Sequence, residues 1–134
     1  MSKISMIEGI GESYEVKLKA AGVRSVEALL KICASKKGRN ELVEKTQIGE
    51  KLVLKWANHA DLFRVKGVAG QYAELLEAAG VDTVPELASR NAENLFKKMQ
   101  EVNNAKSLVR KLPTEAQVKG WVKQAAALPR VLQY

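Results

Sequence analysis

The chain repeats itself, and the repeat limits what it can fold into more than any other feature. Residues from Ile7 read IEGIGESYEVKLKAAGVRSVEALL, and those from Val65 read VKGVAGQYAELLEAAGVDTVPELA. At an offset of 58, Gly9 meets Gly67, Tyr14 meets Tyr72, Leu18 meets Leu76 and Ala20–Val23 meets Ala78–Val81. A later block, Val53-Leu54-Lys55-Trp56-Ala57, meets Val118-Lys119-Gly120-Trp121-Val122 at an offset of 65. The second copy therefore carries seven extra residues between the blocks, which the sequence places near Asn91–Gln100. Each copy is one supersecondary unit, with the first spanning residues 1–60 and the second, with a C-terminal tail, residues 61–134.

Each copy reads as short helices. Tyr72, Leu75, Leu76 and Ala79 follow the i, i+3, i+4, i+7 spacing of one helix face, and Tyr14, Leu18 and Ala21 repeat it. Gly22 and Gly80 stand where a helix ends in a left-handed residue. Thr83-Val84-Pro85-Glu86 and Thr114-Glu115-Ala116-Gln117 both have the form of a capping box. The closing helices carry stripes of Leu52, Val53, Trp56, Ala57 and Ala60, and of Val118, Trp121, Val122 and Ala125. Between the copies, Asn58–Asp61 reads as a kink or short turn, and Leu62–Lys66 as the opening helix of the second unit. No segment alternates with period two. The expected fold is all-α, about ten short helices packed as one compact unit.

The glycine loops add a resemblance. Ile7-Glu8-Gly9-Ile10-Gly11, followed by Tyr14, Leu18 and Ala21-Gly22-Val23, resembles the helix-hairpin-helix motif. It is similar to the N-terminal helical domain of the eukaryotic and archaeal strand-exchange recombinases, whose continuation Ser25-Val26-Glu27-Ala28-Leu29 and Thr83-Val84-Pro85-Glu86-Leu87 match. The whole chain also resembles a bacterial family of unknown function with tandem helix-hairpin-helix motifs. The resemblance implies two tandem repeats, each a degenerate double hairpin, and non-sequence-specific contact with duplex DNA. In such a loop the backbone N–H groups opening the second helix, together with the helix dipole, form an anion site suited to a phosphate. Contacts of that kind position the protein without reading bases.

This chain departs from the motif in several places. Gln47 stands where the second hairpin of copy one would have its first glycine, and Lys111-Leu112-Pro113-Thr114 has none. Ala69 replaces the second glycine of the loop in copy two, while Glu8 and Glu12 flank the loop of copy one. The candidate phosphate contacts are Gly9, Ile10 and Gly11 in the first loop and Lys66, Gly67, Val68, Ala69 and Gly70 in the second. Lys45, Lys51, Arg110 and Lys111, beside the second hairpins, join them as neutralising cations.

Charge fits a polyanionic partner. Lysines and arginines number 22 against 15 acids, a net charge of +7. The surplus is spread along the chain, +4 up to Arg64 and +3 beyond it. Trp56 and Trp121 read as core anchors, as do Tyr14 and Tyr72. Cys33 reads as a buried thiol and His59 as a polar residue at a helix end. One cysteine and one histidine supply no metal set and no nucleophile–base pair, so neither catalysis nor a cofactor or metal is expected. No apolar run approaches the ~20 residues of a membrane span, and the first residues lack a signal-peptide pattern, so a cytoplasmic protein is the expectation. Two readings stay open. One is an accessory protein that holds double-stranded DNA through its hairpins. The other is a protein-interaction or scaffold module reusing the fold, with the apolar segment Leu128–Tyr134 docking on the core or on a partner.

Overall fold

The computed structural model describes residues 2–134. Among these residues there are eight α-helices, one short 3-10 turn at Ile4–Met6 and no strand beyond an isolated bridge between Lys3 and Ser25. The helices are α1 (Glu12–Ala20), α2 (Val26–Cys33), α3 (Lys36–Thr46), α4 (Glu50–Leu62), α5 (Gly70–Ala78), α6 (Val84–Ala88), α7 (Ala92–Lys106) and α8 (Glu115–Ala127). The count falls short of the expected ten partly because, of the expected opening helix Leu62–Lys66, Leu62 ends α4 and Phe63–Lys66 forms turns instead. Asn58–Asp61 departs from expectation in the other direction. It continues α4 without a break, and every residue from Trp56 to Leu62 is buried, His59 and Asp61 completely. Burial has overridden the weak helix preference of Asn, His and Asp.

The chain divides into two compact units. The first runs to Asp61 and also takes Val131–Tyr134, and the second is Leu62–Arg130. The break falls one residue after the expected boundary. The last four residues group with the first unit because Gln133 donates its N–H to Ala34 (2.7 Å), the Tyr134 hydroxyl bonds Asn58 Oδ1 (2.9 Å) and Leu132 is buried.

Matched elements have matched bounds. The ends of α5 are those of α1 shifted by 58 residues, and the ends of α8 are those of α4 shifted by 65. Helix α1 closes with Gly22 N–H on Lys19 (3.0 Å) and Val23 N–H on Leu18 (2.8 Å), and Gly22 is left-handed at φ +88°. Helix α5 closes with the corresponding bonds from Gly80 to Glu77 (3.0 Å) and Val81 to Leu76 (2.9 Å), and Gly80 has φ +96°. This is the crossed 6→1 and 5→2 closure of a Schellman motif.

The capping signals divide. Thr114 forms the full capping box with Gln117, as read. Thr83 does not: its hydroxyl bonds the Glu86 carboxylate (3.2 Å), and that carboxylate also accepts the Asp82 N–H (3.2 Å), so the first turn of α6 is held from Glu86. The seven extra residues also lie later than expected. Helix α7 outruns α3, 15 residues against 11, and the connection that follows it, Ser107–Thr114, is longer than the Gln47–Gly49 connection. Offsets between matched blocks bracket an insertion but cannot place it within a continuous helical pattern.

In the second unit α8 packs against α6 and α7, and α5 against α7, around Leu75, Leu76, Leu87, Leu95, Met99, Val118 and Trp121. In the first unit α2 packs against α3 over Leu29, Cys33 and Leu42. Each fully buried Leu of these cores is worth roughly 1.5–3 kcal/mol. None of the described helices is long and apolar enough to cross a membrane.

Candidate functional site

Both glycine loops have the same construction. In the first, Ile10 N–H bonds the Ile7 carbonyl (3.2 Å) around Gly9 at φ +92°; in the second, Val68 N–H bonds Val65 (3.1 Å) around Gly67 at φ +94°. Side chains other than glycine rarely adopt that conformation. Each loop lies over a tryptophan. A Cβ on Gly9 would sit 3.6 Å from Trp56 Nε1, and one on Gly67 only 3.0 Å from Trp121 Nε1. Tyr14 meets Trp56 edge-on with centroids 5.1 Å apart, and Tyr72 meets Trp121 at 5.4 Å. The tryptophans are therefore core supports for the loops, as the sequence suggested. Ile7, Ile10, Val65 and Val68 point into the cores, which turns the backbone at Gly9, Gly67 and Ala69 outward.

Replacing the second glycine by Ala69 does not disturb this geometry. Ala69, the N-cap of α5, has φ −131° and ψ −171°, and its counterpart Gly11 has φ −82° and ψ −178°. Both are extended conformations open to any residue. Neither residue has a side-chain oxygen to cap its helix, so neither cap satisfies a first-turn N–H.

Electrostatics separates the two loops. The first turn of α1 carries Glu12 and Glu15, with half-buried Glu8 just before it. These carboxylates already complement the positive end of α1 and would repel a phosphate. The first turn of α5 holds no acid. Lys66 precedes it, exposed, with its backbone fixed by Gln124: Lys66 N–H donates to Gln124 Oε1 (2.9 Å), and its carbonyl accepts from Gln124 Nε2 (3.3 Å). Tyr72, in the first turn of α5, donates its hydroxyl to the Lys111 carbonyl (3.0 Å). That bond sets the Arg110–Lys111 segment, with both side chains exposed, beside the helix start.

The remaining candidates are arranged differently. Lys45 and Lys51 are exposed on either side of the α3–α4 connection, and among the described residues no hydrogen bond or ion pair ties them to the Gly9 loop. Gln47, in that connection, takes the left-handed conformation (φ 58°) without being glycine, and donates its amide to Glu44 (2.8 Å). The turn Lys111–Thr114, read from the sequence as a second hairpin, ends in the cap of α8, where the Thr114 hydroxyl accepts the Gln117 N–H (3.1 Å). Pro113, in the same turn, is buried. The sequence already set Glu8 and Glu12 beside the first loop and Lys66, with no acid, beside the second. The distinction lies in the first-turn acids and in the Tyr72–Lys111 bond, of which only the acids were visible in the sequence.

The model of a family described as a domain of unknown function (DUF4332) matches residues 8–128. The chain belongs to that family. No curated protein and no solved structure matches it. The matched span of this DUF4332 chain contains both glycine loops and all eight helices.

Proposed function

We propose that this DUF4332 chain is a non-enzymatic DNA-binding accessory protein, and that its two units are degenerate helix-hairpin-helix repeats of which the second makes the contact. The observation that carries this reading is the contrast between two loops of one backbone geometry. Helix α5 opens with no acid and no side-chain cap beside exposed Lys66, whereas α1 opens on Glu12 and Glu15. Exposed Ala69 and Gln71, on either side of buried Gly70, present backbone N–H groups to a phosphate, and Lys66, Arg110 and Lys111 neutralise its neighbours. Gly9, Ile10 and Gly11 keep the architecture of the loop as a folding element. Binding is non-sequence-specific, because backbone amides and lysines do not read base edges.

The protein-interaction reading rests on the lost glycines and on Glu8 and Glu12, with the apolar C-terminal segment as a further contact for a partner if it does not dock on the core. That last support is weakened, since Leu132 is buried and Gln133 is bonded to Ala34 within the first unit.

Fluorescence anisotropy of a short duplex, titrated across salt concentrations, tests the proposal. Three neutralised phosphates give a slope of log K against log salt of about −2.7. Lys66→Glu should weaken binding and flatten the slope by about one. Absence of binding by micromolar protein at low salt would refute the reading.

A further inference from the structure

The first unit holds a second candidate site, built around a buried cation and distinct from the hairpins. Lys36, Arg39, Asn40, Glu50, Leu54 and Tyr134 line a pocket of about 190 Å³. The composition of Lys36-Lys37-Gly38-Arg39 suits an exposed connecting loop or a basic finger on DNA, but the run is the first turn of α3, and Arg39 is only 7% exposed. Its depth follows from Gly38, where a Cβ would come within 1.9 Å of the Ile32 carbonyl, so the start of α3 lies directly against the end of α2.

Arg39 donates from Nη1 to the Cys33 carbonyl (2.9 Å), and its guanidinium carbon lies 5.5 Å from the centroid of the Tyr134 ring. Beyond one carbonyl bond and one ring face, the remaining guanidinium donors have no partner within the chain and reach accessible space, since no Arg39 nitrogen is buried without a partner. Among the described residues no carboxylate forms an ion pair with it. The neighbouring Cys33 thiol does not supply the charge, since burial keeps it protonated. A guanidinium buried to this degree is ordinarily paired with an anion, because desolvating it alone is costly.

We propose that this pocket binds a small monocarboxylate with an apolar portion, its carboxylate on Arg39 and its apolar part against Leu54 and the Tyr134 ring. Arg39 presents a planar fork that matches a carboxylate, and Lys36 and Asn40 add donors at the same wall. Ser35 caps the start of α3, taking the Gly38 N–H (3.0 Å). Glu50 brings the charge of the lining, with Lys36 and Arg39, to one net positive unit, which a monocarboxylate neutralises and a dianion such as phosphate overshoots. The volume is well below the roughly 300 Å³ at which drug-sized ligand sites begin, which limits the occupant to a small molecule.

The test is a titration of the full ¹⁵N-labelled chain with benzoate, and separately with inorganic phosphate, followed by amide and arginine side-chain NMR. The expected result is saturable benzoate shifts at Lys36–Asn40 and Leu54, no shifts at Ala69–Tyr72, and phosphate binding at least ~10-fold weaker. Arg39→Lys keeps the charge but loses the fork, and should weaken benzoate by ~10-fold or more. Tyr134→Ala removes one wall of the pocket and should also weaken it, which keeps the test decisive if Arg39→Lys fails to fold. No saturable shift at 20-fold molar excess and above, up to about 20 mM, would overturn the proposal. So would equal affinity for phosphate, or benzoate affinity unchanged in both variants.

Discussion

Two helical glycines with opposite surroundings give the most direct test of the packing. Gly38 is in the first turn of α3 and Gly120 in the interior of α8. By propensity alone, either should gain about 1 kcal/mol on replacement by alanine. A Cβ on Gly120 meets nothing within 4 Å, so Gly120→Ala should show that gain. A Cβ on Gly38 would lie 1.9 Å from the Ile32 carbonyl oxygen and 3.1 Å from its carbon, so the backbones must separate by more than 1 Å to reach even 3.0 Å. That separation strains the Ser35 cap on Gly38 N–H and the Arg39 bond to Cys33. Overpacking costs about 1–3 kcal/mol, a lost cap about 1 kcal/mol and a charged hydrogen bond about 1.5–3 kcal/mol. With partial losses of the last two, and the propensity gain deducted, Gly38→Ala should be destabilising by about 2–4 kcal/mol. Urea unfolding followed by far-UV circular dichroism measures both variants. A Gly38→Ala protein as stable as wild type, or stabilised like Gly120→Ala, would refute the α2–α3 contact.

Other outcomes follow from single residues. Burial pushes the Cys33 thiol up to about 12 from 9.0, with Arg39 partly opposing the shift. The native chain therefore keeps this proton between pH 9 and 12 while the unfolded chain releases it. Its contribution leaves stability unaffected below pH 9 and lowers it as pH rises above; Cys33→Ala should remove that part of the slope, and a thiol reagent at pH 8 should react only as fast as the chain opens. Thr114→Ala breaks the capping box of α8 and should cost about 1 kcal/mol by the same urea assay. The Glu8→Gln, Glu12→Gln double variant takes repelling charge from the first loop, so duplex affinity should rise severalfold at low salt and the gain should fade as salt screens it.

The helical class and the alignment of the two halves were legible because glycine, tyrosine and tryptophan recur at fixed offsets and each has a distinct structural duty. Gly9 and Gly67 adopt positive φ over Trp56 and Trp121, where the sequence had set them in register. What escaped depends on contacts distant in sequence. Asn58–Asp61 stays helical because it is buried, which its polar composition conceals. Gln47 and Ser107 both end helices in the left-handed conformation (φ 58° and 52°), a role that a search for glycine passes over. The Lys36–Arg39 run reads as a solvated loop until the close approach at Gly38 is known. In the candidate interface, the backbone donors and Lys66 were readable in the sequence. The placement of Arg110–Lys111 was not, because it depends on the Tyr72–Lys111 hydrogen bond across 39 residues.

Of two loops alike in backbone, we propose that only the second meets DNA. Amide chemical-shift mapping of the full chain with a short duplex at low salt tests this most directly. The account predicts shifts at Ala69, Gly70 and Gln71, with Gly11, Glu12 and Ser13 unmoved and the pattern lost in Lys66→Glu. Shifts centred on Gly11–Ser13, or none at either loop while the duplex is bound elsewhere, would contradict it.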